Sequence, residues 1–115
     1  MCLRIDTNTK ELVAKNDIVV WKTLDPGNIS NFYAFKYKRN TLYRLRQKLE
    51  VCGSCIFEGF HSYKSRDGLY GWNKIVKMII PKGAKYYYGI HSDNRYGYVS
   101  SSIRTGDLRD QKGSQ

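Results

Sequence analysis

Lys74-Ile75-Val76-Lys77-Met78-Ile79-Ile80-Pro81-Lys82-Gly83-Ala84-Lys85-Tyr86-Tyr87-Tyr88-Gly89-Ile90 is the stretch that decides the fold. Its first seven residues are mostly branched and apolar, too short a run for a buried helix and of the right length for a buried strand. Pro81-Lys82-Gly83 ends that run, and Ala84–Ile90 follows as a Tyr-rich strand. Working outward, Tyr96–Arg104 reads as another strand after the polar loop His91-Ser92-Asp93-Asn94-Arg95. Upstream, Asp17–Leu24 is β-branched and aromatic, and it stops at the turn Asp25-Pro26-Gly27-Asn28. Phe32–Lys38 alternates, with Tyr33, Phe35 and Tyr37 on one face and Lys36 and Lys38 on the other. Cys55–Tyr63 reads as a strand interrupted at Gly59. Thr41–Leu45 continues as a strand or, since Leu42, Leu45 and Leu49 are spaced for one helix face, as a helix. Ser65-Arg66-Asp67-Gly68 is a cap for a second short helix, with Gly68 and Gly71 against it. The pattern predicts one α+β, mainly β domain over residues 1–105, of about six short strands and one or two short helices. Residues 106–115 are predicted to be a flexible tail.

The chain has 115 residues with 20 Lys+Arg against 10 Asp+Glu, a formal charge of +10. That length suits one core rather than two. No apolar run approaches the ~20 residues of a membrane span. The N-terminal residues lack the apolar region of a signal peptide, so a soluble, cytoplasmic protein is expected. Three cysteines, an odd number, argue against a disulfide framework.

Cys52-Gly53-Ser54-Cys55 admits three readings: incidental cysteines, half a zinc site, or a redox pair. The only imidazoles, His61 and His91, stand at spacings that match no common zinc finger. A redox pair wants a helix N-terminus under its first cysteine, and Ile56-Phe57-Glu58 is strand-like. No metal and no cofactor is therefore expected. His61, Ser62 and Tyr63 crowd one strand and, with Trp21, make a candidate ligand pocket. A nucleophilic Ser–His pair also needs an orienting carboxylate, so no catalytic residue is assigned; a hydrogen-bonded structural histidine is the plainer reading.

Charge is unevenly placed. Residues 1–25 hold four basic and four acidic residues, so the whole excess lies beyond them. Lys36, Lys38, Arg39, Arg44, Arg46 and Lys48 form the densest band, with no acid in residues 32–48. Tyr33, Tyr37 and Tyr43 are interleaved with them, and Lys82 and Lys85 add a second basic group. Cations neutralise phosphates and rings stack on bases, so the band predicts binding to nucleic acid or to an acidic host nucleoprotein complex. The alternative is a solvated face whose charges blunt a sheet edge.

Gly59-Phe60-His61-Ser62-Tyr63, the Ile75–Tyr87 stretch and Val99-Ser100 resemble a group of small uncharacterised phage and prophage proteins. The resemblance covers about residues 17–105 and implies an accessory protein of the bacterial cytoplasm, of the stoichiometric counter-defence (anti-CRISPR-like) kind. The order of these elements also resembles the second half of the ADP-ribosyltransferase fold, with Gly59–Tyr63 in the place of its hydroxyl-bearing strand. That fold's late catalytic Glu has no counterpart here, since the glutamates are Glu11, Glu50 and Glu58. The likeness thus implies a scaffold for binding NAD or a cyclic-nucleotide signal, without the transferase reaction.

Overall fold

The computed structural model describes residues 2–30, 35–67, 69 and 74–110. Among the described residues eleven strands make one antiparallel sheet: β1 (Leu3–Arg4), β2 (Leu12–Val13), β3 (Ile18–Asp25), β4 (Ile29–Ser30), β5 (Leu42–Arg44), β6 (Cys55–Ile56), β7 (Phe60–Tyr63), β8 (Lys74–Ile80), β9 (Lys85–His91), β10 (Tyr96–Ser100) and β11 (Ser102–Thr105). Their order is β5-β11-β8-β3-β7-β10-β9-β1-β6, with β2 on β9 and β4 on β3.

There is no helix among the described residues, which corrects the α+β expectation and its count of six strands. Leu42, Leu45 and Leu49 have helical spacing, but the chain at 42–44 finds its hydrogen-bond partners on β11, with Tyr43 opposite Ile103. Ladder bonds to a neighbouring strand outweigh a three-leucine periodicity, and Leu42 stays exposed. The helix expected after Ser65 falls partly on Gly68 and 70–73, outside the described residues; at Ser65–Asp67 the Ser65 Oγ accepts from the Asp67 amide. Phe32–Ala34 also lie outside them, and 35–38 holds only an isolated bridge between Lys36 and Ile29.

Two predicted strands are each two. Cys55–Tyr63 breaks at Gly59, whose φ of 137° only glycine adopts easily. Tyr96–Arg104 breaks at Ser101, and that break reveals the architecture. β10 and β11 are one residue apart in the chain, yet β7, β3 and β8 lie between them in the sheet. Flat, the sheet would hold them roughly 19 Å apart, at about 4.8 Å per step. The sheet must therefore curl until the two strands meet at a corner. Backbone bonds at that corner agree: the Leu45 amide donates to the Ser101 carbonyl, and the Ser101 amide to the Lys85 carbonyl.

The curl creates an inside and an outside. Val20, Leu24, Phe60, Val76, Met78, Ile80 and Ile103 form the inner core, joined by Tyr86 and Tyr98. Two smaller clusters cover the outer face, one around Leu3, Ile56 and Val99, the other around Tyr63, Leu69 and Ile75. Of the residues expected to form a tail, Leu108 is buried in the inner core and the Asp110 carboxylate accepts from the Ile75 amide. Residues 111–115 lie outside the described ones.

Cys2 and Cys55 form a disulfide, and Cys52 is free and exposed. This corrects the expectation that the cysteines stay unpaired, and removes the Cys52–Cys55 redox pair. The β1–β6 pairing brings the two segments together, Leu3 opposite Ile56 and Arg4 opposite Cys55, and the Cys2 and Cys55 Cα atoms lie 5.8 Å apart. Closing a loop across 53 positions is worth on the order of 4 kcal/mol in the chain-entropy account.

Candidate functional site

Strand alternation sends alternate residues of β3 and β7 to opposite sides of the sheet. On β3, Val20, Lys22 and Leu24 face inward. Trp21 faces outward against Tyr63, Leu69 and Ile75, with the Arg66 guanidinium 5.4 Å above its ring. Trp21 pairs with Tyr63, and continuing that register sets Lys22 opposite Ser62. A charged side chain has thereby been placed in the row that builds the core.

Lys22 and Ser62 line a cavity of about 550 Å³ walled by Phe35, Tyr37, Tyr43 and Phe60. The rings meet edge-on: Phe35 to Tyr37 at 4.9 Å, Tyr37 to Tyr43 at 5.3 Å and Phe35 to Tyr43 at 5.2 Å. The Tyr43 hydroxyl accepts from the Lys38 amide, tying the 35–38 segment to β5. Lys22 is 8% exposed, and its Nζ donates to the His61 carbonyl at 2.6 Å. Tyr37 lies beneath the same ammonium, 5.9 Å from its ring centre. No carboxylate among the described residues pairs with Lys22, and burial alone pulls its amine down to about 8. Burial likewise pushes the Tyr37 phenol up. Ser62 is 1% exposed and its Oγ has no hydrogen-bond partner among the described residues.

On the outer side of β7, His61 and Tyr63 meet His91, at ring separations of 5.5 and 5.1 Å. His61 Nε2 donates to the Phe57 carbonyl and His91 Nε2 to the Ser62 carbonyl, both at 2.7 Å. Carbonyls only accept, so Nε2 carries a proton in each ring, and Nδ1 has no partner among the described residues. Burial drives the His61 imidazole down to about 3 and lowers His91 as well. The polar-loop expectation fails at His91, which ends β9 and is fully buried, because Gly97 on β10 leaves room for its ring. Tyr63 donates to Asp93 at 2.7 Å, and burial raises its phenol.

The proposed ligand pocket is thus divided. Ser62 reaches the cavity, His61 contributes wall and the carbonyl that holds Lys22, Tyr63 points its ring outward, and Trp21 lies on the far side. Lys22 is the site residue that sequence reasoning missed. The available signal was its position midway between Val20 and Leu24 in an alternating strand.

The basic band is exposed throughout: Lys36, Lys38, Arg39, Arg44, Arg46 and Lys48 all face solvent, and none forms an ion pair with a described residue. Arg44 and Arg46 stand on the cavity rim beside Tyr43, as does Glu58, which accepts from Gln47. Lys85 approaches the band through Ser101, while Lys82 sits at the β8–β9 turn, its amide bonded to Asp17. Tyr37 is buried under the band rather than displayed on it, and Tyr33 lies outside the described residues. No group of three or more His, Cys, Asp or Glu is arranged for a metal among the described residues, where there is also no helix long and apolar enough to cross a membrane. No family model matches the chain, and neither the curated proteins nor the solved structures include one significantly similar to it.

Proposed function

We propose that the protein acts by stoichiometric binding of nucleic acid, or of an acidic nucleoprotein complex, through the face built by Lys36–Lys48. The observation that carries this reading is six exposed cations gathered about the edge strand β5 with no acid paired to them among the described residues. Arg44 and Arg46 flank an aromatic opening, the arrangement in which phosphates meet cations while unpaired bases stack.

The reading has consequences that are simple to measure. Affinity for a fluorescent oligonucleotide falls steeply with salt, with a log–log slope near −5 on duplex DNA if about six cations meet phosphates. Reversing Arg39, Arg44 and Arg46 to Glu abolishes binding while leaving the melting temperature within a few degrees, since all three are exposed. Unchanged affinity in that variant sinks the assignment. A pull-down with and without nuclease separates nucleic acid from a protein partner. The Cys2–Cys55 bond favours surroundings that do not reduce it, so the cytoplasmic expectation is not carried into this proposal.

A further inference from the structure

The basic face leaves the interior of the cavity unexplained. An ammonium group in an aromatic enclosure costs free energy unless a charge of opposite sign joins it. Core positions facing inward on β3 and β8 are otherwise apolar: Val20, Leu24, Val76, Met78 and Ile80. Lys22 breaks that row at the place where the sheet leaves about 550 Å³ of space. Its neighbour across the register, Ser62, presents a hydroxyl that is 1% exposed and has no partner among the described residues. One Nζ hydrogen is used by the His61 carbonyl, and the ammonium carries two more. A buried ammonium and a buried hydroxyl without a partner among the described residues thus belong to the lining of one cavity, and the charge there is positive.

The walls state the rest of the ligand. Phe35, Tyr37, Tyr43 and Phe60 offer ring faces and edges, which suit a flat conjugated body. The volume falls in the range of small-molecule pockets. Glu58 stands at the rim and accepts from Gln47, so the interior holds the cation and the rim holds both signs. We propose that this cavity binds a small aromatic carboxylic acid, its ring among Phe35, Tyr37, Tyr43 and Phe60 and its carboxylate on Lys22 Nζ and Ser62 Oγ. This goes beyond nucleic-acid binding on the outer cations, and neither activity requires the other.

The test uses 2-naphthoate and its uncharged isostere 2-naphthamide on the intact, oxidised chain, by calorimetry and thermal shift. Naphthoate binds and raises the melting temperature, and the amide binds at least about tenfold more weakly, as expected for loss of a charge-assisted pair. Lys22→Met removes the preference for the acid; Ser62→Ala weakens naphthoate severalfold. Arg44→Glu with Arg46→Glu, which strips the rim, keeps the preference. Lys22→Met leaves an apolar residue in an apolar row, so it folds. Equal binding of acid and amide, naphthoate affinity unchanged in Lys22→Met, or no binding at millimolar naphthoate each overturns the proposal. A preference that disappears with the rim arginines and survives Lys22→Met overturns it too, by moving the ligand to the surface.

Discussion

The two sides of β7 solve the same problem in opposite ways. Outward, His61 and His91 are buried as neutral rings, each spending its one N–H on a backbone carbonyl, with glycine making the space for the second. Inward, Lys22 is buried beside open space, with one carbonyl bond and no counter-charge among the described residues. A histidine gives up its charge cheaply because its ordinary pKa is near neutrality, whereas a lysine holds its charge at far greater cost. The outer side buries rings that can shed their charge, and the inner side buries an amine beside open space.

Four measurements break or sharpen that contrast. Gly97→Ala is expected to have the largest effect, because a Cβ there overlaps the Ser62 carbonyl and the His91 ring. Destabilisation of about 3 kcal/mol in urea unfolding is expected, and a loss below about 1 kcal/mol would mean the outer side is loosely packed.

Acid comes next. Between pH 6.5 and about 3 the unfolded chain takes up a proton that folded His61 does not, so stability falls as pH drops, and His91 acts in the same direction. His61 alone contributes a loss of roughly 2 kcal/mol between pH 6.5 and 5. Urea midpoints that stay level over that interval contradict the neutral-ring assignment.

Lys22→Met should stabilise the ligand-free protein at pH 7 by about 1 kcal/mol, the reverse of an ordinary core substitution. Above about pH 8 folded Lys22 has lost its proton, while the unfolded side chain keeps one until near 10.5. Wild-type stability therefore rises through that window, and the advantage of the Met variant shrinks. A variant less stable than wild type at every pH would remove Lys22 from the class of unsatisfied charges.

The smallest effect is expected for Tyr63→Phe, which loses the bond to a half-exposed Asp93 and costs about 0.5 kcal/mol by thermal unfolding.

Much of the strand content was legible. Lys74–Ile80 and the turn at Asp25–Asn28 announce themselves through β-branching and turn chemistry, and both are where local pattern placed them. What misled was local evidence without a partner. The leucines at 42, 45 and 49 have a helical period, but Tyr43 lies on a strand because β11 offers backbone groups to its flank. Residues 91–95 are polar enough for a loop, yet His91 is the buried end of β9, with Gly97 of β10 leaving room for its ring. The cysteines look unpaired by count, and Cys2 reaches Cys55 because β1 and β6, distant in sequence, are neighbours in the sheet.

By itself the sequence determined a β-rich chain with its net positive charge beyond residue 25 and densest from Lys36 to Lys48. Those properties are local, since branching, turn residues and net charge act within a few positions. Only the tertiary structure decided that Ser101 is a corner, that the sheet curls to meet itself, and that Lys22 and Ser62 share a cavity while Trp21 does not. Each of those depends on which strand lies beside which, and pairing between distant strands is set by long-range register that no short window of sequence contains.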